Sequence, residues 1–318
     1  MPPSFSHNGP WSAREDTTVG SVLFGAGRGR RLRPLTDRIP KPALPLLDVP
    51  LGAWGLARLV HAAPPVVVNA SHLADRLVGA LQPLDLGPWQ AVVEAREAYG
   101  TAGTLAALED RIPGRVVTWN GDLLTDLEPA ELLESHLGSG AVATVAVMEV
   151  SSGADLRLNG SSVEAFVDRR HDPAAGGARF LGAAVFERAA LERLPARRPA
   201  GLGETLLRDL AESGDLAVHV FTGYWTDVGT PEAYLAASLD LLYGRAPSAP
   251  VPIPGEIVEV QGGRAYIGPN AEVEPQSLGP GAIVLRGARV ASGATVTDAI
   301  VLPGALVAEG RSLNGEIY

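Results

Sequence analysis

The sequence predicts an α/β protein, with a domain built on a mostly parallel sheet and a small C-terminal left-handed β-helix of hexapeptide repeats. Three observations carry that expectation. From Val19 onward, short apolar runs alternate with helical stretches, the pattern of successive βα units. A stretch rich in Pro and small residues, GRAPSAPVPIP at 244–254, then breaks the alternation. Beyond it, hexads of the form Ala-x-(Val/Ile)-x-x-(Gly/Asn) recur to the end of the chain.

Strands are expected at 19–24, 66–69, 91–94, 116–119, 141–149, 181–186 and 217–221, where β-branched residues cluster over few positions. Helices are expected between them, at 51–62, 71–80, 103–110, 129–136, 188–194, 203–212 and 231–242. The last has the clearest start, with Thr230 as N-cap and Pro231 in the first helical position. The hexads begin at Ala265, Ala271, Ala282, Ala288, Ala299 and Ala305, with irregular or five-residue units at Ser277, Ala294 and Arg311. One small and one aliphatic residue per unit fill a triangular coil, and nine units make about three coils. The expected organisation is a flexible tail at 1–18, a main domain at 19–243, a linker at 244–254 and the β-helix at 255–318.

Composition narrows the function. At 318 residues, two domains are expected, and 46% hydrophobic against 19% charged residues describes a globular chain with a core. The absence of cysteine excludes disulfides, thiolate metal sites and Cys nucleophiles. No signal-peptide pattern opens the sequence and no run of eighteen apolar residues occurs, so a cytoplasmic protein with no membrane partner is expected. A net charge of −10 argues against nucleic acid as a partner.

Positive charge is nevertheless concentrated at one place. Arg28, Arg30, Arg31, Arg33, Arg38 and Lys41 lie close together with only Asp37 opposing them. Of the 26 basic residues, 25 are Arg, and the single Lys is Lys41. A compact ammonium and a planar guanidinium are not interchangeable beside a crowded phosphate, so a lone Lys points to a site that Arg cannot serve.

That cluster belongs to a motif. Leu23-Phe24-Gly25-Ala26-Gly27-Arg28-Gly29-Arg30-Arg31-Leu32-Arg33-Pro34-Leu35-Thr36 follows an expected strand, and Pro40-Lys41-Pro42 comes shortly after. Small residues let the backbone approach a ligand with exposed N–H groups, while Arg31 and Lys41 add fixed charge for phosphates. No Gly-Lys-Ser/Thr follows, so it is not a Walker A loop. Two carboxylates at strand ends, Asp122 and Asp227, suit a hard cation with oxygen ligands.

Here the chain resembles the sugar-1-phosphate nucleotidyltransferases, whose signature is (A/G)-A-G-x-G-T-R-L-x-P-L-T followed by P-K. Further motifs occur in the family's order. Tyr99-Gly100-Thr101-Ala102-Gly103 resembles its L-G-T-A-G loop, and Asn120-Gly121-Asp122 its N-G-D. Phe180-Leu181-Gly182 resembles its sugar-site strand, and Trp225-Thr226-Asp227-Val228-Gly229-Thr230 its W-x-D-x-G-T. The resemblance implies a Rossmann-like catalytic domain that joins an NTP and a sugar 1-phosphate into an NDP-sugar and pyrophosphate. It implies catalytic roles for Arg31, Lys41, Asp122 and Asp227, with Mg²⁺ held by the two aspartates. It implies nucleotide binding by Gly25, Ala26, Gly27, Gly29, Arg30, Gly100, Thr101 and Gly103, and sugar binding by Asp168, Arg169 and Gly182.

Three positions depart from the pattern. Arg30 replaces the usual Thr or Ser, Val167-Asp168-Arg169 replaces V-E-K, and Leu181 replaces a polar residue. These bear on the sugar more than on the reaction type. Guanylyl transfer to mannose 1-phosphate is the first expectation. The alternatives are thymidylyl or uridylyl transfer to glucose 1-phosphate, or a non-catalytic subunit that binds NDP-sugar. A β-helix acyltransferase would use a His, and none follows His219. The β-helix is therefore expected to serve homo-oligomer assembly.

Overall fold

The computed structural model describes residues 19–94, 97–109, 112, 114–160, 162–167, 171–195 and 198–318. The expected tail at 1–18, together with Asp168 and Arg169, lies outside the described residues. The chain opens with β1 (Val19–Phe24), a short hairpin of β2 (Pro45–Leu46) and β3 (Val49–Pro50), and helix α1 (Gly52–Ala62). There follow β4 (Val66–Ala70), α2 (Ala74–Leu81), β5 (Trp89–Val93), α3 (Thr101–Leu108), β6 (Arg115–Asn120), β7 (Leu123–Thr125) and α4 (Pro129–Ser139). Then come β8 (Ala143–Val150), β9 (Leu156–Asn159), β10 (Ser162–Phe166), β11 (Gly177–Glu187), α5 (Arg188–Leu191), α6 (Leu206–Glu212), β12 (Leu216–Val220), β13 (Trp225–Asp227) and α7 (Pro231–Leu242).

The central sheet has the order β5-β4-β1-β6-β11-β8-β12-β10-β9. The expected mostly parallel sheet is instead mixed. β5, β4, β1 and β6 run parallel, as do β8 and β12, whereas β11 is antiparallel to both β6 and β8. β9 and β10, two short strands absent from the expected set, occupy the path from β8 to β11, pairing with each other and, through β10, with β12. Among the described residues that path therefore carries no helix of the kind that joins parallel neighbours. β9 and β10 pair antiparallel across Asn159 and Ser162.

Both faces of the sheet are covered. Alternation along the strands sends Leu23, Val117 and Trp119 to a core shared with α1 and α7, and Val22 and Val116 to a second core shared with α3 and α6. The chain leaves β1 through α1 on one face to reach β4, then returns through α3 on the other face to reach β6. The carboxyl ends of β1 and β6 therefore border a crevice at a topological switch point. Phe24 and Asn120 are register partners there.

Beyond α7, an antiparallel hairpin (Glu256–Val260 and Gly263–Ile267) opens a coiled segment. Tyr266, Ile283, Ile300 and Ile317 stack in parallel, each seventeen residues after the last, because two six-residue units and one of five complete each circuit. Two further parallel ladders pair Arg289–Val290 with Leu306–Val307 and Thr295–Thr297 with Ser312–Asn314. Ala265, Ala282, Ala288, Ala294 and Ala299 are buried in its core, which explains the small residue in each unit. One side of the coil is not separate from the rest. Tyr266, Ile283, Leu285 and Ile300 join the same core as α1, α7 and the β2–β3 hairpin, and Val251 and Ile253 pack against it.

A buried histidine ties the layers elsewhere. His136 is 2% exposed, with Nδ1 2.9 Å from Thr144 Oγ1 and Nε2 3.0 Å from Glu187 Oε1. Burial holds its pKa below the ordinary histidine value, with Arg115 adding to the effect and Glu187 opposing it. The unfolded chain takes up this proton near pH 6.5, while the folded chain resists it to lower pH. Between those values the unfolded state binds more protons, so stability is complete above about pH 6.5 and is lost as the pH falls below it. His219 is shifted in the same direction by burial. Urea unfolding at pH 7.5 and 5.5 should show a lower midpoint at the acid value, and His136→Gln should flatten that slope; an unchanged slope would remove His136 as its cause.

Candidate active site

Three chain segments converge at the carboxyl ends of β1 and β6. The first is the loop after Phe24. Gly25 packs inward, since a Cβ there would meet Asn69 O at 2.7 Å and Leu77 Cδ2 at 2.8 Å. Its N–H donates to Asn69 Oδ1 at 2.7 Å, so that group is engaged within the protein. The N–H groups from Ala26 to Arg31 form no hydrogen bond among the described residues. A Cβ at Gly27 would meet nothing within 4 Å, which leaves the space over this backbone open. Gly29 turns the chain at φ 57°, and Thr36 Oγ1 donates to its carbonyl at 2.9 Å. A run of free N–H groups on an open loop is an anion cradle.

The second segment supplies Lys41. A one-turn helix, Lys41–Ala43, holds it with only 9% exposure. The third is the small antiparallel pair β7–β13, which places Leu123 opposite Asp227, with Val228 N–H donating to Asp122 O at 3.1 Å. That pairing brings Asp122 and Asp227 side by side although 105 positions separate their numbers. The Lys41 ammonium sits between them, bonded to Asp122 Oδ2 and, at 3.0 Å, to Asp227 Oδ1. Arg31 Nη2 lies 3.7 Å from Asp227 Oδ2. The four residues expected to act together are therefore assembled.

Burial pushes the Asp122 carboxyl above the usual aspartate range; Lys41 opposes the shift and Asp227 adds to it. Asp122 Oδ1 is buried with no hydrogen-bond partner among the described residues. An orphaned carboxylate oxygen beside a second carboxylate fits a hard divalent cation, which would satisfy it. No group of three or more His, Asp or Glu suited to a metal occurs among the described residues, so protein ligands would number two, with substrate oxygens completing the shell.

A cleft of about 340 Å³ adjoins this cluster, lined by Arg31, Asn120, Asp155, Arg179, Gly182 and Trp225 among others. Gly182 has φ 82°, and a Cβ there would lie 2.5 Å from Asn120 Nδ2, so only glycine fits at this wall. Leu181 is fully buried, and its carbonyl accepts from Trp225 Nε1 at 2.9 Å. Asp155 and Arg179 were not anticipated, and no motif marks them.

The loop at 99–103 is held by the chain at 200–202. The Gly103 N–H donates to Ala200 O at 3.2 Å, and Thr101 Oγ1 accepts from Leu202 N–H at 2.9 Å. The Thr101 hydroxyl keeps its own proton to donate, and Gly100, at φ 75°, has no room for a Cβ against Ala200. Behind the loop lies a buried network that motif reading missed. The Glu94 carboxylate, 7% exposed, accepts from Asn69 Nδ2 at 2.7 Å, from Thr104 Oγ1 and from Tyr99 N–H at 2.8 Å. Through Asn69 it reaches the Gly25 N–H, linking both glycine loops. The available signal was Asn69 itself, a polar residue ending the apolar run at 66–68.

Comparison with known proteins follows the same lines. A family model described as nucleotidyl transferase matches residues 20–243. Mannose-1-phosphate guanylyltransferase of Mycobacterium tuberculosis is 28% identical over 308 residues, covering 87% of this chain and 83% of that protein. UTP–glucose-1-phosphate uridylyltransferase of Synechocystis is 25% identical over 314 residues, covering 85% and 81%. In fold, HddC from Yersinia pseudotuberculosis complexed with GMP-PN matches with a TM-score of 0.59 at 20% identity, covering 70% of this chain and 98% of that one.

The network makes its own prediction. In Glu94→Gln an amide donor would face Asn69 Nδ2, Thr104 or the Tyr99 N–H, leaving a buried donor unpaired at a cost of about 1–3 kcal/mol. Urea unfolding should register that loss. A change within ~0.5 kcal/mol, the scatter of neutral surface substitutions, would show that Glu94 does not tie the loops.

Proposed function

The chain belongs to the nucleotidyl transferase family, and on that premise we propose that it is a sugar-1-phosphate nucleotidyltransferase. It would form NDP-sugar and pyrophosphate from an NTP and a hexose 1-phosphate, with guanylyl transfer to mannose 1-phosphate as the first pair to test. One observation carries this reading: the Lys41 ammonium is bonded to both Asp122 and Asp227, with Arg31 beside the second. The Mycobacterium and Synechocystis relatives support the sugar-phosphate class while differing in base and sugar by name.

In this reaction an oxygen of the sugar phosphate attacks the α-phosphorus of the NTP, and the bond to pyrophosphate breaks. No general base is required, because the attacking phosphate is already ionised. The chain's task is alignment and neutralisation of crowded negative charge. The open backbone of Ala26, Gly27, Gly29 and Arg30 would cradle the triphosphate. Arg31 and Lys41 would hold the oxygens around the α-phosphorus. Gly100, Thr101 and Gly103 would shape the nucleoside side. Gly182, Asp168 and Arg169 would bound the sugar. Asp122 and Asp227 would hold a divalent ion, Mg²⁺ in this reading, which would supply neutralisation of phosphate charge.

The remaining parts of the proposal concern organisation. Residues 19–243 form the catalytic domain, 244–254 the connection and 255–318 a left-handed β-helix. The parallel stacking every seventeen residues and the buried alanines support the last of these. A homo-oligomer formed through the coil's open end and a cytoplasmic setting complete the reading, the latter in keeping with the absence of any described helix long and apolar enough to cross a membrane.

A panel of NTPs against mannose and glucose 1-phosphates, read by pyrophosphate release, tests the whole; no release with any pair refutes it. Lys41→Arg should melt within a few degrees of the parent yet lose about a hundredfold or more in turnover, the scale of losing one preorganised contact to developing charge. Near-normal turnover would end the special role of the lone lysine. Asp227→Asn should raise the Mg²⁺ concentration for half-maximal rate by about tenfold or more, and an unchanged metal titration contradicts its assignment.

A further inference from the structure

The segment that follows Lys41 is gripped from two sides. On one side Tyr234 Oη donates to Pro45 O at 2.6 Å. Tyr234 lies on α7, whose N-cap, Thr230, comes three residues after Asp227. On the other side the hairpin turn meets the C-terminal coil. The Asp48 carboxylate accepts from Tyr266 Oη at 2.9 Å and from the Arg286 N–H at 3.1 Å to each oxygen. Burial raises the Asp48 pKa despite these donors, a sign of how closely the coil covers it. Gly268 is confined by the same contact, since a Cβ there would meet Arg286 N at 2.5 Å as well as the Asp48 carboxylate.

Little slack separates this grip from the reacting groups. Leu44 N–H donates to Lys41 O at 3.1 Å, and Leu51 N–H donates to Leu44 O at 2.9 Å. β2 and β3 pair directly, with only Leu47 and Asp48 between them. Both turn residues have positive φ, 46° and 64°. Two-residue turns of this kind favour Asn and Gly, so a Leu-Asp pair is a costly choice unless its side chains are needed. Leu47 is fully buried in the core that also holds Tyr266, Ile283, Leu285 and Ile300. Asp48 makes the polar contacts just given.

We propose that Asp48, held by Tyr266 and Arg286 of the C-terminal coil, is a positioning residue that fixes Lys41 between Asp122 and Asp227. The coil is then part of the scaffold of the reaction, acting some 218 positions away in sequence through one carboxylate. A coil that served assembly alone would need no such contact with the segment carrying Lys41.

The chain itself provides a probe that does not depend on substrate. Lys41 is the only lysine, so acetylation by an amine-reactive N-hydroxysuccinimide ester, followed by peptide mapping, reports its exposure alone. The N-terminal amine serves as internal standard. Tyr266→Phe keeps the ring and removes one donor to Asp48, while Asp48→Asn keeps a residue that tolerates the left-handed turn. Loss of one hydrogen bond of ordinary strength shifts a local opening equilibrium by about fivefold, and each variant should label Lys41 faster by about that factor. The double variant should fall short of the product of the two, as contacting residues do. Leu210→Ala, in the second core, should lower the melting temperature without changing the labelling rate. Unchanged labelling in both Tyr266→Phe and Asp48→Asn, or an equal rise in Leu210→Ala, overturns the proposal.

A kinetic arm rests on the function proposed above. There kcat should fall by a similar factor, with KM for the NTP within about twofold. If the parent protein releases no pyrophosphate with any pair, that reading fails, and the labelling result still decides the role of Asp48.

Discussion

The site depends on one cation between two anions. Two like charges about 4 Å apart repel by roughly 4 kcal/mol at an effective dielectric near 20. The Lys41 ammonium, bonded to both Asp122 and Asp227, offsets such repulsion, and Arg31 stands beside the second. Each partner arrives on a different element: a one-turn helix after β1, the turn after β6, and the end of β13. Much of the surrounding structure serves to bring those three ends to one point. The switch at β1 and β6 opens the crevice, the β7–β13 pair sets the two carboxylates abreast, and α7 and the coil hold the lysine segment from behind.

The balance of charge explains a further trait. A protein with ten excess negative charges repels polyanions at a distance, and only a dense local patch can reverse that sign. The patch here has two layers. Exposed guanidinium groups such as Arg28, Arg30 and Arg31 form the outer layer, and a nearly buried ammonium forms the inner one. Arginine suits the outer layer because its broad, weakly hydrated fork binds phosphate from many directions. The inner position is confined between carboxylates, where a compact head fits.

The sequence made the cluster's members legible and left its supports obscure, for a physical reason. Lys41, Asp122 and Asp227 sit in short motifs, so local pattern marks them, and the fold brings them together. The hexads were equally visible, because a stacked coil repeats its own pattern; the period of seventeen emerges only from the pairing of Tyr266, Ile283, Ile300 and Ile317. What escaped notice depends on contacts remote along the chain. Asp48 lies in an unremarkable stretch, where Leu-Asp is a poor turn signal, and Tyr266 fills a variable position of the hexad that begins at Ala265. β9 and β10 are brief and partly exposed, so the sheet's antiparallel half did not register. Glu94 reads as the polar end of an edge strand until Asn69 and Thr104 are seen to surround it. Thr101 and Gly103 matched a motif, while their bonds to residues 200 and 202, remote along the chain, carry no local signal.

The seventeen-residue circuit also constrains how such a chain can change length. Each circuit touches only its neighbours above and below, and the face that meets the lysine hairpin is formed by Tyr266, Ile283, Leu285 and Ile300. Whole circuits could be gained or lost past that face without rotating it, whereas an insertion of a few residues among them would turn the stack like a misthreaded screw. Length change at this end is therefore compatible with that packed face in full turns rather than in fractional steps.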